Sequence, residues 1–582
     1  MQISKLPSKQ NNSIEKYFPL ALLALCAGVF FYGLGSLPFI GPDEPRYAQV
    51  AREMFISGDW VTTKLSGINW FEKPALTYWL SATGYWLFGE NEFGARFFIA
   101  VFATVGVLLV YGFGKRIRSA RFGFLSAAVL TTCGMWPGFA RVATFDMPLS
   151  VAMTLALASF FVWEQSVPRP VGSGFAEGDA SQQRRSLPVA VLTFFALGLG
   201  VLAKGLVGIV LPAAVIGLYL LLTRRLKILF RPKLLLIGAV IFLATAATWY
   251  APVIAKHGRE FINEFFIGHH FQRYLSNKYK HPQPFYFFFL VALAGSFPWT
   301  FYLLSSAWQS LKNWREILAD RLRLFLWLWV AVTIGFFSFS GSKLPGYVLP
   351  IFPAIALLVG LELEKWWQQT PGRNRDREKA AGSKILVGLT AAFIAIVGIA
   401  AIFVSQRELG VTAGSAWLIG GVTVAVAGVF LILWLWRGGQ LALMILPFSL
   451  IAVIVTATHL IFPALGNRES LKPLAQAARL AAQPGEKLVF FVNEDHGINF
   501  YATELPWRDT KSELVSVTSP DNIELMIQAS QTRSILVASR KRWVEGVTKA
   551  EKLVTEKVAE QNYNARCSPD CDWVLLRARR RQ

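Results

Sequence analysis

The sequence predicts a polytopic α-helical membrane protein with about thirteen transmembrane helices and a small C-terminal α/β domain. Three observations predict this fold class. Hydrophobic residues make up 54% of the 582 residues and charged residues only 16%, with a mean hydropathy of +0.43, which is far too apolar for a soluble chain of this size. Apolar runs long enough to cross a bilayer recur along the chain. Beyond about residue 465 the pattern changes to short β-type runs.

Thirteen apolar runs approach the roughly 20 residues that a transmembrane helix needs. The first is too long for a signal peptide and lacks a small-x-small cleavage site, so we expect an uncleaved span. The pair between residues 187 and 223 is interrupted only by Lys204-Gly205. The predicted spans are 18–39, 97–114, 122–140, 143–163, 187–203, 205–223, 234–251, 285–305, 324–340, 345–364, 385–404, 414–436 and 440–462.

The basic residues predict the orientation of these spans. Lys and Arg gather on the cytoplasmic side of short loops, and basic loops alternate along the chain with loops that carry few cations. The alternation predicts a cytoplasmic N-terminus. It places residues 41–96, residues 252–284 and the whole C-terminal tail on the opposite side.

The tail from 465 to 582 is predicted to be a separate domain after a membrane domain at 1–464. Its β-type runs LVFFV, SILVAS and DWVLLRAR are separated by stretches of helical composition, such as Leu471 to Ala482. Cys567 and Cys571 could close a small disulfide in an oxidising compartment. Half of a zinc site is the alternative, but no second ligand pair lies nearby.

The net charge of +22 does not point to nucleic acid. Nucleic-acid binding needs the basic residues on one exposed face, whereas here they lie in short clusters between apolar runs. Membrane topology explains them, and the partners expected are membrane lipids. A transporter is the alternative from another functional class. Against it, we find no inverted-repeat halves, and the charged residues lie at one surface and not at the midplane.

The stretch GPDEPRYAQVAREM at 41–54 predicts a helix that begins at the mouth of a span and lies along the membrane surface. Pro45 suits the first turn, and Asp43 and Glu44 lie near the positive end of the helix dipole. The alternative is that both carboxylates only cap a solvated helix start. An apolar stripe at helical spacing is formed by Tyr47, Val50, Ala51, Met54 and Phe55.

Further polar residues fall on the same predicted side of the membrane. Carboxylates combined with several cations at the bilayer surface suit a phosphate-bearing amphiphile, since Lys and Arg hold phosphate and a carboxylate can orient a nucleophile or ligate a metal. The set comprises Asp43, Glu44, Arg46, Asn69, Glu72, Lys73, Arg141, Asp146, Lys204, Lys256, His257, His269, His270, Arg273, Tyr274, Lys343 and Tyr347.

Several of these residues also have a structural interpretation. Asp146 could form an ion pair with Arg141, because an unpaired charge at the boundary of two apolar runs is costly. Glu72 and Lys73 could form an ordinary loop pair, and Lys204 could extend its ammonium to the membrane surface. Adjacent histidines such as His269 and His270 are more often loop or packing residues than ligands.

At these residues the chain resembles the bacterial polyprenyl-phosphate-dependent glycosyltransferases of the GT-C superfamily. The nearest likeness is to the lipid A 4-amino-4-deoxy-L-arabinose transferase family and its protein mannosyltransferase relatives. The matching motifs are PDEPRYAQVAREM, GDW at 58–60, FEKPALTYW at 71–79, RVATFDMP, AKG at 203–205, HHFQRY at 269–274 and SKLPGYVLPIFP at 342–353. Pro45 stands where the family more usually has Gly, and His269-His270 where Glu-His or Glu-Asn is expected.

The resemblance implies an inverting, polyprenyl-phosphate-sugar-dependent glycosyltransferase of the bacterial inner membrane. The donor would be a sugar, such as 4-amino-4-deoxy-L-arabinose, on undecaprenyl phosphate. The acceptor would be lipid A or a related envelope glycolipid at the periplasmic face, and the enzyme is expected to be a monomer. The alternatives keep this chemistry with a polysaccharide or a protein Ser or Thr as acceptor.

The resemblance also implies roles for single residues. Asp43 looks like the catalytic aspartate of the first loop and Asp146 like the second acidic position, and Glu44 is included as a catalytic candidate beside Asp43. Glu72 with His269 or His270 would match a divalent metal pair. The groups expected to bind the carrier phosphate or the sugar are Arg46, Tyr47, Lys73, Lys204, Arg273, Lys343 and Tyr347.

Overall fold

The chain folds into a multi-pass bundle of membrane helices that carries a small sheet domain at its C-terminal end. The structure is a computed structural model. It describes residues 12–167, 180–272, 283–367, 377–437, 439–483, 486–492, 496–502, 516–529, 533–561 and 572–581. Within these ranges, nine helices are long and apolar enough to cross a membrane. Three shorter apolar helices, Phe18–Phe31, Ala120–Thr132 and Val207–Leu222, contribute to the same core. This architecture confirms the predicted fold class.

The N-terminal half supplies the elements that surround the candidate site. They are α1 Asn12–Glu15, α2 Phe18–Cys26 with the π-helical turn Ala27–Phe31, α3 Asp43–Ser57, the antiparallel strands β1 Lys64–Leu65 and β2 Ile68–Asn69, α4 Leu76–Phe88, α5 Glu92–Ile117, α6 Ala120–Thr132, α7 Met135–Ala140, α8 Asp146–Ser166, α9 Ala180–Lys204, α10 Val207–Leu222, the 3₁₀ turn Leu226–Leu229, α11 Pro232–Phe261 and the π-helix Ile262–Gln272.

The second half completes the bundle. It contains α12 Phe287–Gly295, α13 Thr300–Lys312, α14 Trp314–Ala319, α15 Arg321–Ser338, the 3₁₀ turn Pro345–Ile351, α16 Phe352–Trp367, α17 Arg377–Leu409, α18 Ala413–Arg437 and α19 Gly439–Leu460. Most predicted spans begin and end within a few residues of these helices, because long apolar runs in a bilayer must satisfy their backbone groups as helices.

Two predicted spans are interrupted. The run at 122–140 divides into α6 and α7, and the run at 285–305 divides into α12 and α13. The two breaks meet in the bundle, where the amide of Gly134 donates to the carbonyl of Phe297 over 2.8 Å. Each break therefore supplies a hydrogen-bond partner for a backbone group of the other. The sequence of one apolar run does not reveal such a partner.

The C-terminal domain is an α/β unit, as predicted. After α20 Phe462–Glu469, its elements are α21 Lys472–Ala481, β3 Lys487–Phe491, α22 His496–Tyr501, β4 Ser516–Val517, α23 Pro520–Ala529, β5 Ser534–Arg540, α24 Lys541–Thr548, β6 Leu553–Gln561 and β7 Trp573–Arg580. The strand order is β4-β3-β5-β7-β6. Strand β3 is parallel to β4 and β5, and β7 is antiparallel to β5 and β6. Cys567 and Cys571 lie outside the described residues.

The sheet is buried on both faces, which explains its nearly continuous apolar strands. Leu488 and Phe490 point to the face covered by α21 and α22. Val489 and Phe491 point to the opposite face, against Ile523 of α23 and its neighbours. The alternation along β3 follows from the two-residue period of a strand.

Helix α3 differs from the prediction in what covers its apolar stripe. It begins at Asp43 and has Pro45 in its first turn, as predicted. The stripe is buried, but it packs against protein: Tyr47 and Met54 share a cluster with Tyr85 of α4 and Phe500 of α22. Sequence periodicity identifies an apolar face but not its partner, and the position of α3 along the membrane surface stays a prediction.

Candidate active site

The first group of charged side chains lies where α3 begins. We call it the first-loop group and define it as Asp43, Arg46, Glu72 and Lys73. Arg46 donates a hydrogen bond to the carboxylate of Asp43, one turn earlier on the helix. Its second terminal nitrogen lies 3.5 Å from Glu72, and the ammonium of Lys73 lies 3.2 Å from the other oxygen of Glu72. Two carboxylates and two cations therefore alternate in one network.

Aromatic rings hold the Arg46 side chain in this position. Its guanidinium lies 5.7 Å from the ring centroid of Tyr47 and 6.0 Å from that of Trp70, within the range of cation–π attraction. Burial by itself lowers the pKa of Arg46, but the carboxylate of Glu72, followed by Tyr47 and Asp43, raises it overall. Arg46 therefore remains a fixed positive charge beside Asp43.

The two carboxylates of this group differ in access. The side chain of Asp43 is 44% exposed, whereas that of Glu72 is 5% exposed. Asp43 can therefore reach a substrate, while Glu72 is enclosed and holds Arg46 and Lys73 in place.

A second group, comprising Asp146, Lys204 and Tyr347, lies where α8 begins and α9 ends. Lys204 donates to the carboxylate of Asp146, and its ammonium lies 4.7 Å from the ring centroid of Tyr347. Gly346 permits this close packing, because a Cβ at that position would lie 2.6 Å from Oδ2 of Asp146. Three segments far apart in the chain thus meet around one ion pair.

Aromatic side chains connect the second group to the first-loop group. The Tyr47 ring lies 4.7 Å from Phe145, the residue immediately before Asp146, and Phe145 lies 5.2 Å from Tyr78. Phe71 and Ala203, the neighbours of Glu72 and Lys204, belong to one apolar cluster. The structure therefore brings Asp43, Arg46, Tyr47, Glu72, Lys73, Asp146, Lys204 and Tyr347 to one end of the bundle.

Glu44 has a structural role, which contradicts its prediction as a catalytic residue. Only 3% of Glu44 is exposed. Arg96 donates to its two oxygens over 2.7 and 2.8 Å, and the amide of Ala143 donates to Oε1 over 2.9 Å. Both carboxylate oxygens are therefore committed to tying α3 to α5 and to the segment before α8, and neither is available to a substrate.

Arg141 does not pair with Asp146, so that structural alternative was wrong. Its guanidinium donates to the carbonyls of Val29, Phe30, Tyr32 and Gly33 at the end of the first apolar helix. The last carbonyls of a helix have no partner inside it, and the fork of donors on arginine suits them. Burial, followed by the nearby charge of Arg96, lowers the pKa of Arg141 to about 10.

Lys343, four residues before Tyr347, forms its hydrogen bond within its own loop. Its ammonium donates to the carbonyl of Ser340 over 2.7 Å, and the residue is 8% exposed. The carrier-binding role of Lys343 stays a prediction. Arg273 and the side chains of His269 and His270 lie outside the described part of the chain, so their assignments stay predictions.

The described residues do not fit a metal site. Among them, no group of three or more His, Cys, Asp or Glu side chains could hold a metal ion. Glu72, the predicted carboxylate ligand, has its oxygens directed at Arg46 and Lys73. A cation at Glu72 would have to displace one of these side chains.

Sequence reasoning missed the residues that orient the two groups. Arg96, Tyr78 and Phe145 are buried within or beside apolar segments. The one available signal was Arg96, a charge at the start of a predicted span, where a buried partner is needed. Nothing in the sequence distinguishes Tyr78 or Phe145 from the many other aromatic residues.

Comparison with known proteins identifies similar sequences over part of this chain. A family model for dolichyl-phosphate-mannose-protein mannosyltransferase matches residues 19–261. The undecaprenyl phosphate-alpha-4-amino-4-deoxy-L-arabinose arabinosyl transferase of Erwinia tasmaniensis is 33% identical over 321 residues, or 55% of this chain and 54% of the relative. One such transferase of Pseudomonas fluorescens is 32% identical over 337 residues, or 57% and 55%. The chain spans about half the length of the curated relatives it matches.

Solved structures extend the likeness to the whole fold. ArnT from Cupriavidus metallidurans, bound to undecaprenyl phosphate, superimposes with a TM-score of 0.73 at 24% identity and covers 96% of this chain and 97% of that one. The same protein in its apo state gives a TM-score of 0.74 at 23% identity. At this level of identity the likeness establishes the fold.

Proposed function

We propose that this chain belongs with the GT-C protein mannosyltransferases and arabinosyl transferases that it resembles, and that it is an inverting glycosyltransferase that takes its sugar from undecaprenyl phosphate. The sugar proposed is 4-amino-4-deoxy-L-arabinose, and the acceptor is lipid A or a related envelope glycolipid. The site faces the periplasm, and the N-terminus lies in the cytoplasm. This orientation rests on the alternation of basic loops.

One observation supports the proposal most strongly. The first-loop group and the second group meet at one end of an apolar helix bundle, although Asp43 and Tyr347 lie 304 positions apart in the chain. An end of the bundle with carboxylates and cations suits a substrate that has a charged headgroup and a long apolar chain. A polyprenyl phosphate sugar has this chemistry.

The cations are the proposed binding site for the carrier phosphate. Lys73 and Lys204 are 15% and 14% exposed and are each held by a carboxylate. A phosphate entering the site would offer these ammonium groups a stronger acceptor with charge-assisted hydrogen bonds. Tyr347, whose ring lies 4.7 Å from the Lys204 ammonium, is proposed to supply its hydroxyl as a further donor. The same contacts stabilise the charge that develops on the phosphate as the anomeric bond breaks.

Asp43 is the proposed catalytic carboxylate. It is the most exposed acid of the two groups, and Arg46 fixes its orientation. With a hydroxyl acceptor, Asp43 takes the proton as the oxygen attacks the anomeric carbon. With a lipid A phosphate, which is already ionised, Asp43 orients the acceptor or the amino group of the sugar. In both cases attack opposite the carrier phosphate inverts the anomeric carbon.

A divalent metal remains a proposal that the described contacts do not favour. It would use Glu72 together with His269 or His270, and no step of the reaction described above depends on it.

Mass spectrometry of lipid A from cells with and without this protein tests the proposed function. We expect a mass gain that matches an aminopentose on a lipid A phosphate only when the protein is present. Unchanged lipid A would contradict this acceptor. A new sugar on total envelope polysaccharide or on protein Ser or Thr would then identify the alternative acceptor.

A further inference from the structure

The C-terminal domain touches the helix that carries Asp43. Helix α22 places two aromatic residues, Phe500 and Tyr501, between α3 and its neighbours, and we call this pair the aromatic wedge. Phe500 is 4% exposed and lies in the same apolar cluster as Ala48 and Ala51 of α3. The wedge thus belongs to the apolar cluster of α3, the helix that carries Asp43 and Arg46.

Phe500 is fixed to α3 by a polar contact as well as by packing. Arg52 of α3 donates to the carbonyl of Phe500 over 3.2 Å, and its guanidinium lies 5.4 Å from the centroid of the Phe500 ring. The ring also meets Phe39 edge-on at 4.8 Å. A buried cation that contacts both the backbone and the ring of one residue restricts how α3 can rotate.

Tyr501 contacts the segment that precedes Asp43 in the chain. Its hydroxyl accepts a hydrogen bond from the amide of Phe39 over 2.7 Å and donates to Glu92 over 2.9 Å. Lys472, also from the C-terminal domain, lies 2.6 Å from the same oxygen of Glu92. Burial, followed by the charge of Glu92, raises the pKa of Tyr501, so the hydroxyl remains a donor.

These contacts flank the proposed catalytic residue. Phe39 lies four residues before Asp43, and Arg52 lies nine residues after it. The segment between them is also anchored by the Glu44–Arg96 pair, so α3 has fixed points at both ends. Without the wedge, the C-terminal half of α3 would lose part of its apolar cover and Arg52 would lose one partner.

From this placement we propose that Phe500 and Tyr501 are positioning residues for the transfer reaction: the C-terminal domain holds α3, and with it Asp43, in its catalytic orientation. The inference rests on the proposed function. It assigns the C-terminal domain a part in catalysis. A domain that only stabilised the fold would have no such part. Because a small misplacement of a catalytic group slows a reaction on the order of a hundredfold, the effect belongs in kcat.

The test uses the full chain in lipid nanodiscs, with Phe500→Ala and Tyr501→Phe as variants. Tyr501→Phe removes only the hydroxyl and keeps the packing, so it serves if Phe500→Ala does not fold. The control is Trp543→Ala, since Trp543 is a half-exposed aromatic of α24 in the same domain. Two quantities are measured: the kcat and KM of sugar transfer, and amide hydrogen exchange by mass spectrometry.

We expect both wedge variants to lower kcat on the order of tenfold or more, with little change in KM for the donor. Exchange should rise in peptides of Asp43–Ser57 and stay unchanged in Asp146–Ser166, and Trp543→Ala should match the wild type. Either of two results would overturn the positioning role. One is faster exchange in α3 with an unchanged kcat, and the other is unchanged exchange in α3. A wild-type protein without transfer activity would instead refute the proposed function, and its exchange data would still report whether the wedge holds α3.

Discussion

Asp43 and Glu44 are adjacent in sequence and nevertheless serve different purposes. Helix geometry turns successive side chains by about 100°, so one carboxylate faces the open end of the site and the other faces the protein. The Asp43 side chain is 44% exposed and that of Glu44 is 2% exposed. A neighbouring pair of acids therefore does not form a catalytic pair here.

Replacing Glu44 by Gln should lower the stability of the fold without removing a catalytic group. Arg96 is 1% exposed and would lose the counter-charge of a buried ion pair, which costs about 3–5 kcal/mol. We expect a clearly lower thermal unfolding midpoint in detergent. Because the pair is also one of the fixed points of α3, we expect the transfer rate for each folded molecule to be reduced but not abolished. A Glu44→Gln protein with wild-type stability and no activity would show that the carboxylate is catalytic after all.

Lys204 and Lys256 offer a matched comparison for carrier binding. Both lysines pair with an aspartate, but Lys204 is 14% exposed and lies in the second group, whereas Lys256 is 49% exposed and pairs with Asp59. Hydrogen bonds to charged groups contribute about 1.5–3 kcal/mol, which predicts for Lys204→Met a rise in KM for the donor of roughly 10- to 100-fold. Lys256→Met should leave KM unchanged, because exposed ion pairs contribute little.

Steady-state kinetics of Lys204→Met and Lys256→Met measure the KM for the donor in both variants. Equal effects of the two substitutions would mean that Lys204 does not bind the carrier.

The contacts of Glu72 predict how the proposed sugar transfer responds to chelators. Because Arg46 and Lys73 already neutralise this carboxylate, we expect sugar transfer to persist after dialysis against EDTA. Loss of transfer that returns with added Mg²⁺, Mn²⁺ or Zn²⁺ would contradict this prediction and support the metal pair with His269 or His270. Metal analysis of Glu72→Gln would then show whether Glu72 is a ligand.

At the scale of elements, hydropathy predicted most of the helices, and local pattern predicted the strands of the C-terminal domain. The start of α3 at Asp43 and the strand β5 at Ser534–Arg540 agree with the predictions to within a residue or two. These features depend on neighbouring residues in the chain, and a sequence shows such features directly.

Contacts between distant elements were harder to predict. The sequence suggested Arg141 as the partner of Asp146 because the two are close along the chain, but Lys204 takes that place and Arg141 caps a helix. The partner of an apolar face or a buried charge is decided by the fold, and a single sequence does not record it.

The C-terminal domain contains a buried ion pair that makes its stability depend on pH. Glu486 accepts hydrogen bonds from Arg577 over 2.8 and 3.1 Å and from Ser534 over 2.8 Å. Burial by itself raises the pKa of Glu486, but these donors, Arg577 first, lower it overall. A carboxyl group whose pKa is lower in the folded than in the unfolded state stabilises the fold above its ordinary pKa, and this contribution disappears as the pH falls.

We therefore expect Glu486→Gln to unfold at a lower temperature than the wild type at pH 7, and the difference to shrink at pH 4. Thermal unfolding at the two pH values measures both midpoints. Glu545→Gln is the control, because its pair with Lys549 is 74% exposed and should contribute nothing at either pH. A difference between Glu486→Gln and the wild type that is the same at both pH values would contradict the assignment.

At the scale of the whole molecule, the fold gathers polar residues that no local motif holds together. The first-loop group comes from α3 and the segment after β2, and the second group comes from α8, α9 and the turn after α15. The apolar bundle provides the anchor in the bilayer, and the C-terminal domain covers the helix that carries Asp43. The residues of the proposed site are thus assembled at one end of a largely apolar bundle.

Transfer in proteoliposomes is the most direct test of this account. The purified protein would be supplied with an undecaprenyl phosphate aminopentose and lipid A, and the product would be measured by mass spectrometry for the wild type and Asp43→Asn at equal folded amounts. The account predicts aminopentose-modified lipid A with the wild type and none with Asp43→Asn. Equal product from both proteins would show that the site around Asp43 does not perform the reaction.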